Sequence, residues 1–189
     1  MTGAVSNPPW VLAADGGLRA VVVEGGALAS LATDRLELIQ HAASMFEPGL
    51  LQLWVRDRAA DRSWPVLGAG SAARTRLEDG VLVVRGGAAD ERCSLTWRVR
   101  LTLADDRAAW AWHVEVLNDG PTPREVDLVH AHDVALAAPA AVRTNELYVS
   151  QYLDVTPLHG DGFGTALAVR QNLPQAGLHP WCVLAATSP

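Results

Sequence analysis

From Ser94 to Leu103 apolar and polar residues alternate without a break. Leu95, Trp97, Val99, Leu101 and Leu103 fall on one side, and Ser94, Thr96, Arg98, Arg100 and Thr102 on the other. A period of two puts one set on a core face and the other in water, as in an antiparallel sheet. Asp105-Asp106 supplies the turn, and residues 108–117 repeat the pattern, with Trp110, Trp112, Val114 and Val116 opposed to His113 and Glu115. Asn118-Asp119-Gly120-Pro121 ends that strand by turn chemistry. A third strand is predicted over 125–136, with Val126, Leu128, His130, His132, Val134 and Leu136 on one face and Glu125, Asp127 and Asp133 on the other.

The flanking pattern is weaker but of the same kind. Residues 18–32 read as two short strands around Gly25-Gly26, a hairpin signal. Residues 50–57 read as a strand after Pro48-Gly49, and a turn-rich stretch runs from Arg58 to Gly70. Residues 34–46 admit two readings. Asp34 and Glu37 suit a capping box, with Leu36, Ile39, Ala43 and Phe46 on one helical face. The favoured reading is a strand followed by a loop. Residues 166–172 read as a strand entering a turn at Pro174, and Trp181–Ala186 as a last strand. No internal repeat or low-complexity linker interrupts the series. Alternating strands joined by tight turns predict an all-β sandwich.

Composition narrows the function classes. At 189 residues the chain fits one domain, and 49% hydrophobic residues allow a sizeable core. A formal charge of −6 and a pI near 5.4 argue against a general nucleic-acid or anionic-membrane binder, which needs basic patches. All fifteen basic residues are arginine. The N-terminus lacks a basic start followed by an apolar run, so no secretory signal is read, and no apolar stretch approaches the roughly 20 residues of a membrane span. Two cysteines, Cys93 and Cys182, are too few for a disulfide framework or a zinc knuckle. Buried free thiols and a cytoplasmic location are expected.

The chemistry concentrates between Asn145 and Trp181. Tyr148, Gln151, Tyr152, Asp154, Arg170, Gln171, Asn172, Gln175, His179 and Trp181 lie within 37 positions. Amides, carboxylates and an arginine hydrogen-bond hydroxyls, and aromatic rings cover the apolar faces of a pyranose. The competing reading is a loop-rich sandwich edge whose polar groups satisfy one another. A hairpin through Gly160, Gly162 and Gly164 would bring Asp154 near Arg170, with Arg170 and Asn172 on one side and Val169 and Gln171 on the other.

The strings NELYVSQYLDV, RQNLPQ and HPW, with VDLVHAHDVALA and LLQLWVRDR upstream, resemble the N-terminal domain of glycoside hydrolase family 94 glycoside phosphorylases, in the branch of the 1,2-β-oligoglucan phosphorylases and cyclic β-1,2-glucan synthases. The resemblance covers most of the chain. It implies an antiparallel super-β-sandwich of the galactose mutarotase kind, here truncated at its C-terminal edge. It also implies that residues 1–189 are the N-terminal part of a larger enzyme whose (α/α)6 barrel holds the catalytic acid and the phosphate site. In the implied reaction phosphate attacks a glycosidic bond of a β-1,2-glucan and releases glucose 1-phosphate with inversion. This domain would then carry no catalytic residue, pack against the barrel and shape the glucan entrance. Its candidate substrate-binding residues are Tyr152, Asp154, Arg170, Gln171, Asn172 and Trp181. Expected partners are a β-glucan oligosaccharide through the parent enzyme and the barrel itself. Trp181–Ala186, with little chain after it, is an edge that leaves a homodimer open. Neither nucleic acid nor membrane is expected as a partner.

His130 and His132 at i and i+2 have the spacing of some β-sheet metal sites, but a third ligand is missing. The expectation is no metal, no cofactor, and two neutral histidines in a polar part of a face. A mutarotase-like aldose epimerase is one alternative, pairing His130 or His132 with Glu146 as acid and base. A purely structural or oligomerisation module is the other. Trp97, Trp110 and Trp112 sit at core parity, whereas Trp10, Trp64 and Trp181 stand beside prolines and are freer to meet a ligand. Gly68-Ala69-Gly70 precedes no helical pattern, and no nucleophile elbow occurs.

Overall fold

A computed structural model describes residues 9–44, 46–68, 70–89, 94–161 and 164–187, and of Glu146 the backbone alone. The chain runs β1 (Trp10–Ala13), β2 (Arg19–Val22), a 3-10 turn (Glu24–Gly26), β3 (Leu28–Ala32), β4 (Gln52–Asp57), β5 (Arg62–Pro65), β6 (Arg74–Glu78), β7 (Val81–Ala89), β8 (Ser94–Leu103), β9 (Trp110–Asn118) and β10 (Val126–Ala131). Two short helices follow, α1 (Pro139–Thr144) and α2 (Glu146–Ser150), and then β11 (Leu153–Gly160), β12 (Gly164–Gln171) and β13 (Trp181–Ala185). The fold is all-β, and its strand pairs are antiparallel. No helix among the described residues is long and apolar enough to cross a membrane.

The chain divides into two compact units. One draws on the stretches up to Leu31 and from His41 to His132, the other on Ala32–Gln40 and the chain from Asp133 onward.

The first unit is a sandwich. Sheet β10-β4-β5 and sheet β6-β7-β8-β9 share one core, in which Leu53 and Val55 meet Val84, Leu95, Trp97 and Val99. The alternation in β8 and β9 appears as predicted: Leu95, Trp97, Val99 and Leu101 are buried, and Trp112, Val114 and Val116 close over the core from β9. Gly86 lies opposite Trp97, and a methyl group there would sit 2.7 Å from the indole Nε1. The strand therefore needs glycine at that point so that the ring can lie across it. A third sheet, β1-β2-β3, buries Trp10, Ala20, Val22, Leu28 and Leu31.

Asp57 at the end of β4 is wholly buried, and it is satisfied. Its Oδ1 accepts from the amides of Ala59 and Ala60, each at 3.0 Å, and its Oδ2 meets Arg124 at 3.1 Å. Four strands, β1, β5, β6 and β7, escape the sequence pattern. β1 and β5 have only four residues each, β6 carries two arginines, and β7 ends in Gly86-Gly87-Ala88-Ala89.

Strand β10 stops at Ala131, five residues before the alternation predicted. Residues 133–137 find another partner. Gln40 donates its amide to the Asp133 carboxylate (2.8 Å), Ala135 donates to Leu38 (3.0 Å), and Glu37 and Ala137 exchange both backbone bonds. Leu136 has φ of +52°, which a strand does not hold. Between Asp34 and Ser44 neither the helix nor the favoured strand forms: Glu37 makes isolated bridges to Ala32 and Ala137 and the rest is loop, and Phe46 is exposed. The polar segment from Asn145 is helical up to Ser150, and strand begins only at Leu153. Pro139 starts α1 at a position where a missing amide costs nothing, and the Asn145 side chain caps α2 by accepting from the Tyr148 amide at 3.0 Å.

The second unit holds sheet β11-β12-β13 and a cluster of Ala135, Ala137, Val142 and Val149, with Leu38, Ile39, Leu136, Ala166 and Val169 also buried.

Candidate functional site

The predicted hairpin exists and fixes which side chains share a face. β11 pairs with β12 so that Asp154 lies opposite Arg170 and Leu153 opposite Gln171. β12 pairs with β13 so that Arg170 lies opposite Trp181. Asp154, Arg170 and Trp181 thus form one row across three strands, and all three are exposed, Trp181 at 67%. Val169 and Gln171 point the other way and are buried, as the strand period requires.

Within the row the contacts differ from expectation. The Asp154 carboxylate accepts from Asn172 Nδ2 at 2.7 Å, not from Arg170. Asn172 also donates its backbone amide to Tyr152 at 2.8 Å, so the residue just past β12 ties the two strands. Among the described residues Arg170 has no carboxylate partner, and its guanidinium remains available beside the indole. Tyr152 donates its hydroxyl to Tyr148 at 3.3 Å, with rings edge-on at 5.0 Å. That bond, more than anything else, holds the Tyr152 phenol above its ordinary pKa. Val183, two residues after Trp181 on the same face, is exposed as well. Its parity becomes informative only once the register is known.

Gln171 leaves the candidate binding set. It is 0% exposed. Its Nε2 donates to the carbonyls of Ala135 and Val149, both at 3.1 Å, and its Oε1 accepts from the Leu173 amide at 2.9 Å. Each strong hydrogen-bonding position of the amide is used inside the protein, which is what a buried amide needs. Gln175 behaves alike, accepting from the Ala138 amide at 2.8 Å and donating to Leu173 at 3.2 Å. His179 lies with Nδ1 at 3.3 Å from the Gln171 carbonyl.

The histidine pair also differs from the sequence reading. His130 stands on β10 and His132 beyond its end, so they are not two positions of one strand face. Their rings are tilted at 5.7 Å, and Trp110 stacks on His132 at 5.7 Å. Solvent reaches His130, yet the surrounding protein strips enough hydration from the ring to lower its pKa from the ordinary histidine value. Among the described residues no group of three or more His, Cys, Asp or Glu has a metal-binding arrangement. Glu146 opens α2, and its side chain lies outside the described residues, as do Cys93 and Gly162. Of the three tryptophans that looked free, Trp10 is buried in the β1-β2-β3 sheet and Trp64 packs on the sandwich core. Trp181 alone of these keeps an open ring.

A profile of the SOGP N-terminal domain matches residues 21–189. This chain belongs to the SOGP N-terminal domain family. Among curated proteins, the 1,2-beta-oligoglucan phosphorylase of Listeria innocua serovar 6a (strain ATCC BAA-680 / CLIP 11262) is 32% identical over 160 residues. That stretch is 84% of this chain and 14% of the relative, so this SOGP N-terminal domain spans about one seventh of the relative's length. The family relation to glycoside phosphorylases agrees with the resemblance carried by the Asn145–Trp181 strings.

Proposed function

We propose that this SOGP N-terminal domain is a non-catalytic, carbohydrate-handling part of an inverting phosphorylase acting on β-1,2-linked glucans. The exposed row Asp154–Arg170–Trp181 carries the reading. An open indole offers an apolar plane to one pyranose face, while Arg170 and the Asp154–Asn172 pair donate to and accept from hydroxyls at the ring's edge. The row holds a single carboxylate, Asp154, already bonded to Asn172, and not the opposed pair that glycosidic chemistry uses, so chemistry falls to other parts of such an enzyme.

The test is a calorimetric titration of the chain with a β-1,2-gluco-oligosaccharide. Binding is expected, with tryptophan fluorescence changing in parallel. Trp181→Ala should abolish it and leave the melting temperature unchanged. Equal binding by the variant would remove the row from the proposal. Incubated with β-1,2-glucan and phosphate, the chain by itself should release no glucose 1-phosphate.

The second reading, a purely structural module, is favoured by Gln171 and Gln175. Both look like ligand-binding amides in the sequence, and both are consumed by backbone groups. Absence of any sugar binding by the wild-type chain would make that reading the better one.

A further inference from the structure

The four-stranded sheet of the first unit turns one face to the core and the other away from it. On the outer face Arg74 lies opposite Arg85, Arg85 opposite Arg98, and Arg98 opposite Glu115. The next row reads Arg76, Val83, Arg100 and His113. Glu78 starts a third row, opposite Val81. Strands stand about 4.8 Å apart and alternate residues about 6.8 Å apart, so five guanidinium stems rise from a patch roughly 15 Å across.

Two carboxylates within these strands answer five arginines. Glu78 pairs with Arg85 and, at 3.7 Å, with Arg98; Glu115 pairs with Arg100 at 3.1 Å. Among the described residues no carboxylate pairs with Arg74 or Arg76, and the Nε donors of Arg98 and Arg100 find no acceptor. At one corner the Thr96 hydroxyl meets Asp119 at 2.9 Å. The strands of this face carry +3 while the whole chain carries −6, which leaves −9 for everything else.

Like charges directly opposite across a ladder are destabilising. Val83 is buried on this outer face between Arg76 and Arg100 in its row, and arginine stems are long enough to cover such a neighbour. Leucine or methionine would cover it equally well without repulsion, so the stems do not account for the charged heads.

We propose that this arginine face docks an acidic polypeptide segment, whose carboxylates are taken in paired, two-point contacts by Arg74, Arg76 and their neighbours. The flat, open face encloses no small anion. Nucleic acid fits less well on two grounds. Among the described residues the face has only the His113 imidazole at its edge, held by the Thr102 hydroxyl at 3.2 Å, and no Phe, Tyr or Trp for bases to stack on. A uniformly charged polymer would also run onto the acidic remainder of the molecule. A short acidic segment covers the patch alone.

The experiment uses the full chain and a fluorescein-labelled decaglutamate peptide, read by anisotropy. Saturable binding is expected at about 50 mM salt and should weaken steeply by about 300 mM, where screening shortens. Arg74→Gln/Arg76→Gln should weaken it about tenfold or more, whereas Arg143→Gln on α1 should not change it. Amide shift mapping of the unaltered chain does not depend on how the variant folds. Its perturbations must fall on β6, β7 and β8. No binding at low salt, equal loss in Arg143→Gln, or perturbations elsewhere would each overturn the proposal. Tighter binding of a single-stranded oligonucleotide at the same arginines would overturn the choice of partner.

Discussion

The two units hold themselves together by different means. In the first, nine buried residues among those described, most of them Leu, Val or Trp, form the shared core of two sheets. In the second, two alanines and two valines cluster around the helices, and Leu38, Ile39, Leu136, Ala166 and Val169 are buried besides. Side-chain amides add to that burial by tying backbone groups of distant segments. Gln171 holds the carbonyls of Ala135 and Val149, Gln175 holds the Ala138 amide, and Asn145 caps α2. Apolar burial is roughly proportional to area and indifferent to direction, so many side chains serve. An amide bond network needs particular atoms in particular places, so few do. The polar residues that look like a ligand site in the sequence are therefore of two sorts: those that face solvent in the Asp154–Arg170–Trp181 row, and those that hold the backbone.

The largest effect should come from the first unit. Trp97→Ala empties the centre of its core and should lower stability by about 3–5 kcal/mol in urea unfolding. Amide exchange should quicken in β4, β7 and β8. A loss below about 1 kcal/mol would mean the core collapses around the gap, and the contrast between the units would weaken.

Gln171→Ala tests the second unit. It strands two buried carbonyls and one amide, and should cost about 2–3 kcal/mol. Exchange should rise along β11 and β12. A neutral result would show that water replaces the amide and that the apolar burial suffices.

A smaller, pH-dependent effect sits at Cys182. Burial pushes its thiol up to about 11, because the thiolate loses hydration. The unfolded thiol ionises first, at its ordinary value near 9. The stability that comes from keeping the thiol neutral is thus complete below pH 9 or so, and is lost as pH rises through the folded value. Peptide-resolved alkylation at pH 8 should be slow at Cys182 in the folded chain and fast after denaturation. Equal rates would place the thiol in water.

Legibility followed the same division. β8, β9, the β11–β12 hairpin and β13 could be read from period-two alternation and turn residues, because burial on one face writes that pattern directly. β6 could not, since its outer positions are Arg74 and Arg76 and its inner ones include Thr75. The end of β10 was hidden because alternation continues through Leu136 while the backbone pairs instead with Glu37 and Leu38. In the candidate site the register of Asp154 and Arg170 was legible, but the fate of each amide was not. Sequence shows that Gln171 is polar and at inner parity; only the positions of the Ala135 and Val149 carbonyls, supplied by distant chain, make it a structural pin.

Asn172 lies on the boundary between the two sorts of polar residue, and the smallest predicted effect decides its place. Its side chain touches Asp154 at 2.7 Å, and its backbone bond to Tyr152 survives substitution. Asn172→Ala should therefore cost no more than about 1 kcal/mol of stability, since the freed carboxylate is exposed and water takes the vacated place. If Asn172 serves the sugar row by orienting Asp154, its loss should weaken oligosaccharide binding as much as Asp154→Ala does. The double variant should then bind no worse than either single one, because both changes remove the same contact. If Asn172 touches the sugar itself, the two losses should add. If it only ties the hairpin, binding should stay constant while the melting temperature falls slightly. A double-mutant cycle in binding, run beside thermal unfolding of the same four proteins, separates these three outcomes. Full additivity would shift Asn172 from a residue that positions Asp154 to one that meets the ligand, and would enlarge the exposed row at the expense of the network that holds the second unit.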